Sequence, residues 1–299
     1  MRTIVRIANK FIEGGLMNFI HEIKSPKVIF HSNSLKKISE ELDVISAKNI
    51  LLAFDSSLKE TADEVIKDLA NRISLKIAGV KMHVPDDFTN PIIEQAKAAK
   101  IDTVITIGGG SATGLGKIIA LELDVNLVVI PTTYAGSEMT PIWGRTSNGE
   151  KLTGRDIKVL PKLVFYDPTL VANIPTNIAM NSGMNAIAHA VEAIYSPKVS
   201  PIVEIAALKS IEVFNDYLRK AANGANNPEI SENLLYATML AGFSLGNATM
   251  GIHHKICHVL GGKYDLPHSQ MHSAVLPYAT AYNEVVAKKE LSSIAKIFG

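Results

Sequence analysis

The chain has 299 residues, 47% of them hydrophobic, which is enough for two domains with substantial buried cores. Lys plus Arg total 30 against 29 Asp plus Glu, so no bulk charge advertises nucleic acid or an anionic membrane as partner, and no apolar run is long enough to span a bilayer. Cys257 is the only cysteine, which excludes an internal disulfide and fits a reducing compartment; flanked by Ile256 and His258, it is expected to pack rather than to attack.

The first residues, MRTIVRIANKFIEGGL, carry two arginines, but Lys10 and Glu13 break the apolar stretch and no small-residue cleavage site follows. Residues 1–16 are therefore expected to be a disordered tail ahead of a folded chain that starts near Met17. Short β-rich runs then alternate with helical stretches. ILLAFD (50–55) is predicted as a buried strand, followed by a helix over TADEVIKDLANRI (61–73). DTVITIGGG (102–110) is a second strand leading into the helix SATGLGKIIALEL (111–123), and NLVVIPTT (126–133) is a third. Strand, helix and strand in that order call for parallel pairing and an α/β layer architecture. After KLVFYDP (162–168) the strand signals stop. Helical periodicity covers 177–195, 201–222, 232–244, 252–260 and 273–287, punctuated by Pro197, Pro228, Pro267 and Pro277. The expected organisation is a Rossmann-like α/β domain over 17–172 and an all-helical domain over 173–299, the latter truncated at its C-terminus because LSSIAKIFG ends inside a helical pattern.

Gly108, Gly109, Gly110 and Ser111 lie between a predicted strand and a predicted helix. Glycines there let backbone N–H groups approach a pyrophosphate, and the helix N-terminus adds partial positive charge; a ligand-free tight turn would look similar. Asp55 closes the earlier strand, where an acidic side chain can accept from ribose hydroxyls or simply cap the next turn. In PTTYAGSEMTPIW (131–143), Thr132, Thr133, Ser137 and Thr140 are candidates to line the cofactor cleft, although any polar loop is rich in hydroxyls. Downstream, Lys151 and Arg155 place two cations that could meet a substrate carboxylate.

The histidines carry the sharper signal. Asn185 and His189 are one helical turn apart in SGMNAIAHAVEA, and His254 and His258 repeat that spacing in GIHHKICHVLGGKYDLPH, followed by His268. Such clustering points to metal ligation or acid–base work. A carboxylate at 185 would complete a metal-holding quartet with His189, His254 and His268, whereas the carboxamide removes the charge that most helps to keep a divalent cation. His21, His31, His83, His253 and His272 show no comparable partnering and are read as structural.

Taken in order, GGGSATGLGK, PTTYAGSEMTPIWG, TGRD, SGMNAIAHAVEAIYSP and GIHHKICHVLGGKYDLPH resemble the iron-containing alcohol dehydrogenase superfamily and, within it, the maleylacetate reductase branch. The resemblance runs from about Met17 to the end and implies a dehydroquinate synthase-like fold. Two departures separate the chain from the metal-dependent alcohol dehydrogenases. Those relatives carry Asp where this chain has Gly114, and Asp as first metal ligand where it has Asn185. What the branch implies is reduction of the C=C bond of 2-maleylacetate to 3-oxoadipate with NADH or NADPH, in the breakdown of aromatic compounds and without a tightly held metal. It also puts His258 and His268 in the catalytic role, with His189 and His254 as residual members of the metal constellation; these two and Asn185 are expected to bind substrate, and Lys151 and Arg155 are the candidates for countercharge to its carboxylates. Asp55 would repel a 2′-phosphate and so favour NADH. A cytoplasmic homodimer acting on a small dicarboxylate, with no nucleic-acid or membrane partner, is the corresponding expectation. The alternatives are a metal-dependent alcohol or polyol dehydrogenase using His189, His254 and His268 around Fe or Zn, a related lyase of the dehydroquinate synthase type, and a truncated non-catalytic nucleotide binder.

Overall fold

The computed structural model describes residues 19–197, 199–224, 227–264 and 266–299; the expected tail and the start at Met17 lie outside them. Strands β1 (Lys27–Phe30), β2 (Ile50–Phe54), β3 (Ile73–Ala78), β4 (Thr103–Gly108), β5 (Asn126–Pro131) and, after a hairpin, β8 (Leu163–Tyr166) form one parallel sheet in the order β1-β8-β5-β4-β2-β3. Every residue of β2, β4 and β8 is buried, which is why their sequences are continuous apolar runs instead of alternating ones.

The period of two along β2 divides its side chains between two layers. Ile50 and Leu52 pack with Ile38 and Leu42 of α1 (Ile38–Val44) and with Val65 and Leu69 of α2 (Lys59–Leu69). Leu51 and Ala53 face the other way, towards Ile92 and Ile93 of α3 (Asp86–Ala98) and Leu115, Ile118 and Ile119 of α4 (Gly110–Leu123). Each such aliphatic side chain contributes roughly 1.5–3 kcal/mol on burial, so a one-residue slip of β2 would expose neither face cheaply and the register is firmly specified.

Beyond the four-residue α5 (Pro168–Val171), the chain is helical: α6 (Thr176–Ile194), α7 (Pro201–Ala222), α8 (Pro228–Gly246), α9 (Ile252–Tyr264), α10 (His268–Asn283) and α11 (Lys288–Phe298). Helix starts follow local chemistry. Ser200 accepts from the Val203 N–H at 3.3 Å ahead of Pro201, and Asn227 Oδ1 accepts from the Ile230 N–H at 3.0 Å ahead of Pro228. Tyr134, Val164 and Tyr166 share a core with Ala186, Ile211 and Leu235, so α6, α7 and α8 are cemented directly to the α/β layer. Among the described residues no helix is long and apolar enough to cross a membrane.

Several elements differ from the sequence expectations. β1, β3 and α3 were not anticipated: β3 is a sheet-edge strand with alternating exposure, and the helical pattern before it ends at Leu69 instead of running through residue 73. Residues 142–155, which the sequence reading assigned to no strand, form an antiparallel hairpin of β6 (Ile142–Ser147) and β7 (Glu150–Arg155), joined at Asn148-Gly149 with both residues at positive φ. That Asn-Gly pair is a standard two-residue hairpin signal. α10 begins at His268 instead of residue 273, which puts that histidine in the first turn of a helix.

Candidate active site

A cleft of about 960 Å³ opens between the carboxyl ends of the sheet strands, the β6–β7 hairpin and the helices α6, α9 and α10. Its sheet side lies where β2 is followed by β3 on one flank and β4 on the other, the reversal of strand order at which α/β sheets bind ligands. Asp55 stands at the end of β2, with its N–H donating to Ile107 O at 3.1 Å, beside the glycine turn after β4. A Cβ on Gly109 would fall 2.9 Å from Thr133 Cγ2, so the turn is packed too closely for a side chain. One on Gly110 would meet nothing within 4 Å. The backbone at the start of α4 is thus open to an approaching phosphate. Gly109, Gly110, Ser111, Thr132, Thr133 and Ser137 line the cleft; Gly108 forms the turn behind them at φ 152°. Asp55 Oδ1 accepts from Ser57 N–H at 3.1 Å and Ser57 Oγ at 2.9 Å, so the carboxylate caps the next turn while still lining the cleft.

The hydroxyl-rich loop is organised by a residue the sequence did not single out. Lys117, on α4, is buried, and its ammonium donates to Ser137 O, Thr140 O and Ile142 O, each at 2.7 Å, and to Thr140 Oγ1 at 3.0 Å. Burial pulls its pKa down to about 7. Thr140, expected in the cleft lining, is instead buried against this ammonium. Glu138 on the same loop is buried too, and its Oε1 accepts a hydrogen bond from the Tyr166 hydroxyl at 2.6 Å.

At the far end of the cleft the histidines gather. Asn185, His189, His258, His268 and Lys151 line it, and His254 lies just behind, its ring stacked on His189 at 5.1 Å. Asn185 Nδ2 donates to Ala135 O at 3.2 Å, leaving its Oδ1 buried without a partner. Burial and neighbouring histidines lower every one of these imidazoles, His258 to about 4 and His268 to about 3, with His189 and His254 well below the ordinary value. At neutral pH they are uncharged hydrogen-bonding groups. Lys151 is lowered to about 8 by burial alone, so it still carries its charge near pH 7.

Three more members were missed. His253 and His272, read as structural, join the cluster through a 2.9 Å bond between His253 Nε2 and His272 Nδ1, with His272 packed 4.4 Å from the His268 ring. Glu192, three residues after His189 and hence on the same face of α6, meets His254 Nδ1 at 2.5 Å. Its i,i+3 spacing was the available signal. Arg155 needs the opposite correction: its guanidinium donates to Ala248 O at 2.8 Å and to Gly246 O, so it clamps the end of α8 and lies outside the cleft.

Among the described residues, the only histidine, cysteine or carboxylate trio with ligand atoms mutually within 4.8 Å is His253, Cys257 and His272. The carboxamide of Asn185, beside His189, brings no charge to a cation. Cys257 is buried, with its thiol pKa raised to about 12 by burial, in keeping with a packing role.

Two family models match the chain: iron-containing alcohol dehydrogenase over residues 25–168 and the Fe-containing alcohol dehydrogenase family C-terminal domain over 179–299. Maleylacetate reductase 2 of Cupriavidus pinatubonensis is 41% identical over 96% of this chain and 80% of its own length, and maleylacetate reductase of Burkholderia cepacia is 38% identical over 94% and 80%. The crystal structure of maleylacetate reductase from Agrobacterium tumefaciens superposes with a TM-score of 0.88 at 37% identity, covering 95% of this chain and 81% of that one.

Proposed function

Because the chain belongs to the maleylacetate reductase branch of the iron-containing alcohol dehydrogenase family, we infer that it reduces the C=C bond of 2-maleylacetate to 3-oxoadipate with NAD(P)H. The nicotinamide supplies the hydride. Asp55 and the Gly109–Ser111 turn hold the cofactor at the sheet end of the cleft, which leaves the histidine end for the substrate. Hydride arriving at an alkene conjugated to a ketone drives negative charge onto the ketone oxygen, and a positioned donor there stabilises the enolate. His258 and His268 are the donors in our reading. Both are neutral before substrate binds, so each offers a ring N–H, and an incoming dicarboxylate raises their basicity by adding negative charge beside them. Lys151 holds one substrate carboxylate. A proton then reaches the carbon next to the ketone and completes the saturated product.

The observation that carries this reading is Asn185 among the histidines: a site built from neutral donors serves an enolate without a Lewis acid. Asp55, facing the ribose position, favours NADH over NADPH. The test is NADH oxidation with freshly generated maleylacetate after exhaustive chelation. Retained turnover in metal-free protein is expected; activity lost on chelation and restored by iron or zinc overturns the metal-free part. One observation favours that second reading, a metal-dependent alcohol dehydrogenase using His189, His254 and His268: Glu192 holds His254 in the way carboxylates orient metal-ligating imidazoles.

A further inference from the structure

Behind the imidazoles that line the cleft lies a second set of donors that the reaction does not use. His253 and Cys257 are one helical turn apart on α9, and His272 reaches them from α10. His253 Nε2 lies 2.9 Å from His272 Nδ1 and 3.8 Å from Cys257 Sγ, and the three ligand atoms are all within 4.8 Å of one another. None of the three side chains is exposed, and none lines the cleft. The set shares no member with His189, His254 and His268, the ligands of the metal-dependent reading.

Two imidazole nitrogens and one sulfur are donors that suit zinc. Bonds of about 2.0–2.1 Å to nitrogen and about 2.3 Å to sulfur in a tetrahedral frame separate neighbouring donors by roughly 3.3–3.6 Å. The spacing of Cys257 Sγ from His253 Nε2 is already close to that, and the two imidazoles need to part by about half an ångström. Three protein donors suffice to hold zinc where water takes the fourth position. Charge balance points the same way. Glu192 is fully buried and accepts from the backbone N–H of His253 at 2.7 Å. Its only ion-pair partner among the described residues is His254, an imidazole uncharged at neutral pH. A buried carboxylate that faces no cation is costly. Glu192 acts electrostatically on both His253 and Cys257, so the single net positive charge of a divalent ion on one thiolate would offset it.

We propose that His253, Cys257 and His272 form a structural zinc site that ties α9 to α10 behind the cleft. Cys257 directly precedes His258, and His272 follows His268 by one turn, so the ion fixes the spacing of the two helices that carry the donors of the reaction. On binding, the S–H bond of Cys257 breaks and its proton leaves to solvent. The proton shared between the two imidazoles moves to the outer nitrogen of its own ring, and His253 Nδ1 and His272 Nε2 are both without a partner. One proton is thus released per ion. Without zinc the thiol stays protonated, pushed up to about 12 by burial, and packs as a neutral group. The ion touches no substrate, and its binding does not depend on which reaction the cleft carries out.

The test uses Co²⁺ in place of zinc, because a thiolate bound to Co²⁺ gives a charge-transfer absorption in the near ultraviolet. Cys257 is the only cysteine, so that band reports on no other site. Since the donors are closed to solvent, the ion is supplied while the full chain folds, by expression in zinc-depleted medium containing Co²⁺. Wild type is expected to show the band, to lose it when Zn²⁺ replaces Co²⁺ in the medium, and to unfold at higher urea when grown with Zn²⁺ than when grown without either ion. Cys257→Ser is expected to lose both the band and the stabilisation by Zn²⁺. His272→Gln keeps the thiol, and its band is expected to fall by about tenfold or more, since losing a ligand costs at least what losing an outer-shell partner does. Wild type without the band overturns the proposal. Equal stabilisation of wild type and Cys257→Ser by Zn²⁺ overturns it too, placing the ion at His189, His254 and His268, as does a band of full intensity in His272→Gln.

Discussion

His254 Nδ1 and Glu192 Oε2 stand 2.5 Å apart in a pair with almost no exposure to solvent. Glu192 also accepts from Gly251 N–H at 3.0 Å and from His253 N–H at 2.7 Å, the backbone donors at the start of α9. Three converging donors and the positive end of a helix favour the ionised carboxylate despite its burial, which by itself raises the pKa. A carboxylate can only accept, so Nδ1 of His254 bears the proton and Nε2, buried and unpartnered, is left as an acceptor. His254 therefore cannot donate to an enolate through Nε2, which leaves that task to His258 and His268.

Glu192→Gln keeps the shape of this pair and removes its charge. The expected result is a loss of roughly 1–3 kcal/mol in unfolding free energy, the range for disturbing a buried hydrogen bond to a charged group, together with loss of the single His254 tautomer. Urea denaturation and the ring ¹⁵N resonances of His254 check it. An unchanged tautomer in the variant would show that the carboxylate does not set it.

Acid should weaken the fold earlier than carboxylate titration alone would. The folded-state pKa values of His258 and His268 fall to about 4 and 3, and those of His189, His253, His254 and His272 also move down, all chiefly from burial. The unfolded chain takes up these protons near pH 6.5 and the folded one does not. Their stabilising contribution is thus complete above about pH 6.5 and drains away as pH falls towards 4, by about 1.4 kcal/mol per pH unit for each histidine. Glu138 and Glu192, raised by burial, act in the opposite sense, but six histidines outnumber two carboxyls. Unfolding free energies measured between pH 7.5 and 5 should fall steeply; a flat profile would contradict the burial of these rings.

Much of this arrangement was legible in the sequence, for identifiable reasons. The strands ending at Phe54, Gly108 and Pro131 are continuous apolar runs because both faces are covered, and that pattern survives in the sequence alone. The i,i+4 pairs Asn185 with His189 and His254 with His258 displayed the site because helical spacing is local. What escaped depends on contacts distant in sequence. Lys117 looks like any surface lysine until four acceptors from residues 137–142 close around it. Arg155 looked like a substrate ligand until α8 brought the carbonyls of Gly246 and Ala248 to it, more than ninety residues away. The hairpin at Asn148-Gly149 was the avoidable omission, since its turn signal is local.

Substrate binding should weaken in alkali before the cofactor dissociates. Lys151, lowered by burial to about 8, is a cation below that value and neutral above it. KM for maleylacetate should rise by up to about tenfold per pH unit above pH 8, while KM for NADH stays level, as expected when one proton controls the binding form. Lys151→Met should abolish the pH dependence and show the high KM throughout. A KM that does not move between pH 7 and 9.5 would remove Lys151 from the substrate site.

Asp55 offers a test of cofactor choice. Its Oδ1 is occupied by Ser57, so the effect on the cofactor must come from the rest of the carboxylate. Asp55→Ser should lower KM for NADPH by about one to two orders of magnitude, as one close like-charge contact of roughly 1–3 kcal/mol is removed. An unaltered NADH to NADPH ratio would mean that the residue only caps its turn.

The sharpest outcome concerns His258 and His268. Both line the cleft, both are neutral at pH 7, and they approach it from different helices, α9 and the first turn of α10. If they share the enolate oxygen between them, His258→Ala and His268→Ala should each lower kcat by roughly 10² to 10⁴, the range for losing a positioned acid or oxyanion donor. The double variant should then lose less than the product of the two, because the groups serve one charge. NADH affinity, set at the sheet end of the cleft, should change little in any of them. Steady-state turnover and fluorescence titration with NADH on the three variants decide it. Near wild-type kcat in both single variants, with His254→Ala inactive, would place the donor on the ring that Glu192 holds and reverse the tautomer argument.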